Sequence, residues 1–319
     1  MIDAQNLTRY YGPTLAVDAI NFHVDKGEIV GFLGPNGAGK TTTMRMLTGF
    51  LPPSDGIGHV AGYDIFRESL AVRRRVGYMP ENVPLYPEMT VADYLDYMAA
   101  LHNLSSRKQA VERAMEACGV ADHADVVIGK LSRGYRQRVG LAQAIIHEPE
   151  VLILDEPTIS LDPRQVAEVR ELIRDIGREH TVILSTHILP EVSQTCSRVL
   201  IINNGRIVAE GTPEELNAQL QGAERVQIRL DRPVPIAPEV LGRVDGVVGV
   251  DRAEAGVYDI ACVEGQDCRA ELARTIVNQG WNLLELRTVG MSLEDIFLRL
   301  TTEDTEAEQL EEMEGGENA

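Results

Sequence analysis

The chain has 319 residues, with 49 acidic against 30 basic side chains, a net charge of −19 and a pI near 4.8. A 44% hydrophobic content supplies ample core, and the length suits two domains. The negative field repels a phosphate backbone, and aromatics at 5% with a single tryptophan offer little for base stacking, so nucleic acid is not expected as a partner.

Taken from the N-terminus, Met1-Ile2-Asp3 opens no basic region before an apolar run, and no stretch approaches 18 uninterrupted apolar residues. A cytoplasmic chain that does not itself span a membrane is expected. Residues 28–33 (EIVGFL) form a short apolar run that suits a buried strand, followed by a glycine-rich turn and a helical stretch over 41–47. Residues 151–154 and 182–184 are further fully apolar runs. Such runs, separated by helical patterns, predict a parallel sheet covered on both faces. A helical insert is predicted within residues 84–145. Residues 199–202 and 206–209 flank Asn203-Asn204-Gly205 as a hairpin. Thr212-Pro213-Glu214-Glu215 reads as a helix start, with the polar stretch 217–224 ending the first domain.

Residues 225–230 alternate as a strand, 238–243 suit a short helix, and 247–251 and 257–262 are strand-like with Gly256 between them. A helix over 267–279 and a strand over 282–287 complete a β-α-β-β-α-β order, the ferredoxin-like pattern. A last helix is expected from Ser292, with Leu293, Ile296, Phe297 and Leu300 on one face. The tail carries eight acidic residues from Glu303 to Glu317 and no Lys or Arg, so it is expected to be disordered. Cys118, Cys196, Cys262 and Cys268 form no Cys-x-x-Cys pair and are read as reduced thiols.

The sharpest motif is Gly34-Pro35-Asn36-Gly37-Ala38-Gly39-Lys40-Thr41-Thr42, a full G-x-x-x-x-G-K-[ST] placed between a buried strand and a helix. Its glycines let backbone N–H groups turn inward to phosphates in front of a helix N-terminus. Lys40 is placed for the β- and γ-phosphates of ATP, and the Thr41 hydroxyl for Mg²⁺. Asp155 and Glu156 end the apolar run at 151–154; the first suits the Mg²⁺ shell, through water, and the second suits polarising an attacking water.

Together with Leu131-Ser132-Arg133-Gly134-Tyr135-Arg136-Gln137, these residues resemble the ATP-binding subunits of ABC transporters over about residues 1–220. The family carries LSGGQ at this signature; Arg133 and Tyr135 replace the first glycine and the glutamine. The resemblance implies that Ser132 and Gly134 contact the γ-phosphate on an opposite subunit, that Tyr11 stacks on adenine, and that His187 in Ser185-Thr186-His187 contacts the γ-phosphate. Asp162 matches an acid in the loop that crosses the dimer. Glu81 stands where the family usually has the Gln that couples Mg²⁺ and water to the membrane partner; it keeps an oxygen acceptor and adds negative charge.

The signature variant, Glu81 and the closing Ser292-to-Leu298 stretch resemble a branch whose ATPases are made separately from a six-helix permease and mostly serve exporters. The resemblance therefore implies an ATP hydrolase that drives transport as a homodimer, cytoplasmic and peripheral on the inner face of the cell membrane through its permease. The alternative, a soluble ABC-type ATPase in nucleic-acid repair or translation, lacks the long inserts or the second nucleotide domain those proteins need. A P-loop GTPase would need an Asn-Lys-x-Asp that is absent. The expected fold is α/β: a P-loop NTPase domain over 1–222 with a mostly parallel central sheet and the helical insert, a smaller α+β ferredoxin-like domain over 223–301, and an acidic tail over 302–319. The smaller domain has no phosphate motif and is expected to regulate or strengthen the dimer.

Overall fold

The structure, a computed structural model, describes residues 1–213, 215–216, 225–263 and 266–289. The expected linker at 217–224, the helix from Ser292 and the acidic tail lie outside the described residues. The chain divides into two compact units, Met1–Pro213 and Glu214–Ala319. This division falls before the expected linker rather than at its end.

The first unit is built on a six-stranded sheet. β3 (Ile29–Leu33), β6 (Val76–Met79), β7 (Val151–Asp155), β8 (Thr181–Thr186) and β9 (Arg198–Asn203) are parallel, and β10 (Arg206–Gly211) closes one edge antiparallel. The order is β10-β9-β3-β8-β7-β6. β7 and β8 are buried at every residue, so their stretches 151–154 and 182–184 are apolar on both faces and read as unbroken apolar runs. The β9–β10 hairpin turns at Asn204-Gly205, as the sequence predicts.

A second, antiparallel sheet was not visible in the sequence. It comprises β1 (Ile2–Tyr11), β2 (Thr14–Val24), β4 (Asp55–Val60) and β5 (Tyr63–Asp64), in the order β2-β1-β4-β5. Its inner residues Ile2, Leu7, Val17 and Ile20 share one core with Val30 and Phe32 of β3 and with Met44 and Leu47 of α1 (Lys40–Leu47). α2 (Ser69–Arg73) leads into β6. The insert contributes α3 (Val91–Leu101), α4 (Arg107–Ala117) and α5 (Arg133–Ile145). Thr90 caps α3 by accepting from the Asp93 N–H at 3.1 Å. The buried Tyr94 hydroxyl donates to Gln143 of α5, tying the insert's first and last helices together. α6 (Pro163–Ile176) and α7 (Leu189–Thr195) complete the unit.

The second unit runs β11 (Arg225–Leu230), α8 (Ala237–Leu241), β12 (Val247–Glu254), β13 (Val257–Cys262), α9 (Arg269–Asn278) and β14 (Leu283–Val289). All neighbours pair antiparallel in the order β12-β13-β11-β14, the ferredoxin-like arrangement. Val226, Ile228, Tyr258, Ile260, Leu272 and Ile276 form its core. The Tyr258 hydroxyl is satisfied inside it, donating to Val234 O and accepting from Val234 N, each at 2.8 Å. One expectation is corrected here. Cys262 and Cys268 are joined by a disulfide rather than being reduced thiols: Cys262 ends β13, Cys268 precedes α9, and their Cα atoms lie 6.5 Å apart. Among the described residues, no helix is long and apolar enough to cross a membrane.

Two contacts carry testable weight. Gly77 on β6 lies so close to α5 that a Cβ would sit 2.1 Å from Ala144 O. Backbone cannot swing aside, so Gly77→Ala should cost about 1–3 kcal/mol in urea unfolding, typical of overpacking; an unchanged midpoint would refute the close approach. At the start of β9, Arg198 donates from Nε and Nη2 to the two oxygens of Glu28, each at 2.9 Å. These bonds hold the Glu28 carboxyl below its usual 4.5, outweighing the opposing effect of burial. A lowered folded pKa means that the pair's stabilisation is present above pH 4.5 and is lost as pH falls through the folded value. The stability gap between wild type and Arg198→Gln should therefore be full at neutral pH and shrink below pH 4.5.

Candidate functional site

β3 delivers a buried strand end at Leu33, and the chain turns through 34–39 before α1 begins at Lys40. Gly39 caps that helix at φ 109°, and a Cβ there would lie 2.7 Å from Ala16 O, so both conformation and space require glycine. Ala38 N–H donates to Pro35 O at 3.2 Å, closing the turn. The loop's inner wall opens on a cleft of about 350 Å³ lined by Asn36, Gly37, Gly39, Lys40, Thr41 and Thr42, with Ala16 of β2, Glu81, Glu156 and Ile159 completing it.

Lys40 is only 6% exposed. Its Nζ donates to Gly34 O at 2.7 Å and Pro35 O at 3.1 Å, and forms an ion pair with Glu156 Oε1 at 3.3 Å. That Glu156 oxygen has the ion pair but no hydrogen bond among the described residues. The other, Oε2, lies 2.9 Å from His187 Nδ1. An ammonium, a carboxylate and an imidazole are thus brought together from three segments far apart in the chain.

Two neighbouring strand ends set this geometry. Glu156 follows β7 with φ 50°, a conformation unfavourable for a side chain of its kind. It is held there because its N–H donates to Ser185 O at 3.1 Å and lies 3.0 Å from Ser185 Oγ. The same Ser185 hydroxyl donates to Asp155 Oδ1 at 2.5 Å. Asp155 is buried, and its second oxygen has no partner among the described residues. A buried carboxylate oxygen left in this state is a ready ligand for a hard cation or its bound water. On β6, burial first and the Asp155 charge second push the Tyr78 hydroxyl up to about 12.

The remaining expected residues lie outside the cleft's lining. Tyr11 ends β1, 44% exposed, with the Arg9 guanidinium 5.1 Å from its ring centre. Ser132 is the exposed N-cap of α5, its Oγ accepting from Tyr135 N–H at 3.3 Å, and Gly134 is buried in the first turn. Asp162 caps α6, its Oδ1 accepting from the N–H groups of Arg164 and Gln165 at 3.0 Å each. Within one chain, then, the cleft gathers the loop, Glu81 and Glu156, with Asp155 and His187 bonded to its wall, while Ser132, Gly134, Asp162 and Tyr11 stand apart from it. Sequence reasoning missed Ser185, Ala16 and Ile159. Ser185 stands beside His187 in the sequence, but a small polar residue ending a buried strand carries no signal of its double hydrogen bond.

Comparison with known proteins shows the family of the chain. Residues 17–159 match the ABC transporter domain family. The chain is similar to the linearmycin resistance ATP-binding protein LnrL of Bacillus subtilis (strain 168), at 32% identity over 308 residues covering 94% of this chain and 98% of that protein. It is also similar to the Nod factor export ATP-binding protein I of Paraburkholderia xenovorans (strain LB400), at 35% identity over 305 residues covering 94% and 96%. A solved ATP-binding subunit of an ABC transporter superposes with a TM-score of 0.62 at 29% identity, covering 69% of this chain and 92% of that one. With relatives of this identity aligned over nearly their whole length, the chain belongs to the ATP-binding subunits of ABC transporters, the ATPases that drive transport.

Proposed function

We propose that two copies of this chain close over two ATP molecules, each held between the cleft of one copy and Ser132 and Gly134 of the other, to power export through a separate six-helix permease. The observation that carries this reading is the division of the candidate residues: one chain gathers the glycine-rich loop, Lys40, Glu81 and Glu156 around one cleft, and its exposed Ser132 does not line it. Export is supported by the relative that serves Nod factor export. The two-copy assembly on a permease would place the chain at the inner face of the cell membrane. A role in nucleic-acid repair or translation is not favoured, since the relatives are transporter subunits.

In this reading each residue has one task. Lys40 neutralises charge on the β- and γ-phosphates, and the N–H groups of 37–42 surround them. Tyr11 lies against the adenine. Thr41 and Asp155 would hold Mg²⁺, Asp155 through water; the unpartnered Asp155 oxygen fits that group. The ion, when bound, supplies charge neutralisation to the transferring phosphoryl group. Glu156, oriented by His187 and by its Ser185-anchored backbone, accepts the proton of the attacking water. Glu81, on the cleft wall, couples nucleotide state to the permease. Asp162 holds the start of α6 and so positions the loop after Glu156 for the second copy. The ferredoxin-like unit strengthens or regulates the dimer.

Replacing Glu156 by Gln keeps shape and removes the base. Hydrolysis should fall at least about 10²-fold, the ordinary worth of general-base catalysis. The variant should sediment as a dimer in saturating ATP and Mg²⁺. A monomer under those conditions would overturn the two-copy reading.

A further inference from the structure

The helices of the second unit cover one face of its sheet. α8 and α9 pack through Leu241, Leu272 and Ile276 with Val226 and Ile228 of β11 and Tyr258 and Ile260 of β13. Side chains alternate along a strand, so Gln227 and Asp259 stand on the opposite, open face. There the register aligns Asp251 with Asp259, Asp259 with Gln227, and Gln227 with Arg287, one residue from each strand. Asp251 and Arg287 are exposed, and Asp259 and Gln227 are half-buried.

An antiparallel sheet can leave one face to water, and such a face needs no partner. Two features set this row apart. Asp251 and Asp259 stand directly opposite each other, a pairing of like charges that destabilises a sheet. The Asp251 carboxylate has no hydrogen bond or ion pair among the described residues. The remainder of the row is fixed in place. Gln227 Nε2 donates to Asp259 Oδ1 at 2.9 Å, and Arg287 Nη2 donates to Gln227 Oε1 at 2.8 Å.

Acid, acid, amide and guanidinium thus run across the sheet in that order, and the row reversed is its own complement. When two such faces meet about a two-fold axis along the strands, Asp251 of each copy lies over Arg287 of the other, and Asp259 over Gln227. The neighbouring row pairs Gly249 with Ala261, small residues that let the faces approach.

We propose that the open sheet faces of two copies stack on each other in this way, with Asp251 of each copy paired to Arg287 of the other. The inference rests on the two-copy reading above and gives the second unit its task within it. Four strands about 4.8 Å apart and six residues of about 3.4 Å make a face of about 400 Å² per copy. That is less than a stable interface needs, so the face adds to a dimer formed with ATP rather than forming one alone. Its charge pairs lie in reach of water, so the contribution weakens as salt rises.

The test uses the full chain in a Glu156→Gln background at low salt, with ATP and Mg²⁺ as the probe and dimer fraction by sedimentation as the readout. Asp251→Arg and Arg287→Asp each turn an attraction into a repulsion, and the two-fold makes each contact twice. Each should raise the ATP concentration for half-dimerisation at least about threefold. Asp251→Arg also relieves the clash with Asp259 within one copy, so its loss of dimer cannot come from a weakened sheet. An equimolar mixture of the two variants should return to the midpoint of the unaltered face, because the mixed pair restores both attractions. ADP affinity should be unchanged in both, since the nucleotide cleft lies in the first unit. Unchanged midpoints in the separate variants, or weakened ADP binding alongside weakened dimerisation, would overturn the inference. No recovery in the mixture would assign the face to another occupant, such as the chain's own segment from Ser292, and would overturn it too. All three results leave the two-copy reading intact. Absence of any dimer with the face unaltered would overturn that reading and the inference with it.

Discussion

A buried ammonium and a buried carboxylate meet at the carboxyl edge of the parallel sheet, and the site is organised around them. Lys40 and Glu156 are each about 6% exposed and 3.3 Å apart. Removing two charges from water is costly, and their mutual attraction repays it only with further hydrogen bonds. Here those bonds come from the loop: Gly34 O and Pro35 O accept from Lys40, while His187 satisfies the other oxygen of Glu156. The arrangement is poor as a source of stability, and it keeps a cation on the cleft wall beside the loop that the sequence marks for phosphate. Its place, outside the carboxyl ends of the strands, is where open α/β sheets bind ligands.

The sheet makes this geometry possible by supplying fixed strand ends. β7 and β8 are buried throughout, and Ser185 at the end of β8 reaches both Asp155 and the backbone of Glu156. A non-glycine residue at φ 50° costs on the order of 1–3 kcal/mol, and the surrounding strands must over-determine it. The gain is direction: Asp155 is left pointing one unpartnered oxygen into buried space, and Glu156 is turned to face both the lysine and the histidine. On the proposed function, the direction of Asp155 and Glu156 thus depends on Ser185 and the strand packing behind them.

Much of this was legible in the sequence, and what was hidden has a physical reason. The parallel strands show themselves because burial on both faces forces unbroken apolar runs, and the P-loop because its spacing has a mechanical origin. The β-α-β-β-α-β order of the second unit gave its antiparallel sheet. The N-terminal sheet was hidden because β1 does not alternate regularly. Its pairing with β2 shifts register between Ala4 and Leu7, between Leu7 and Arg9 and between Arg9 and Tyr10, and Asn6 and Ala19 take positive φ. Each bulge moves the apolar side chains to the other face and erases the period of two. Ala16 of the cleft was lost with that sheet. Asp162 was read through resemblance as a cross-dimer acid, although Asp before Pro163 is also a local signal for the helix cap it forms. The Cys262–Cys268 link depends on how the end of β13 and the start of α9 are placed, which residue spacing alone does not fix.

The central claim is that the Lys40 ammonium is the cis cation of an ATP site. Its most direct test is the equilibrium affinity of the purified full chain for ATP, comparing Lys40→Ala with wild type and confirming by circular dichroism that the variant is folded. Loss of a charge-assisted phosphate contact should weaken binding at least about tenfold. A folded Lys40→Ala chain that binds ATP as tightly as wild type would contradict the account.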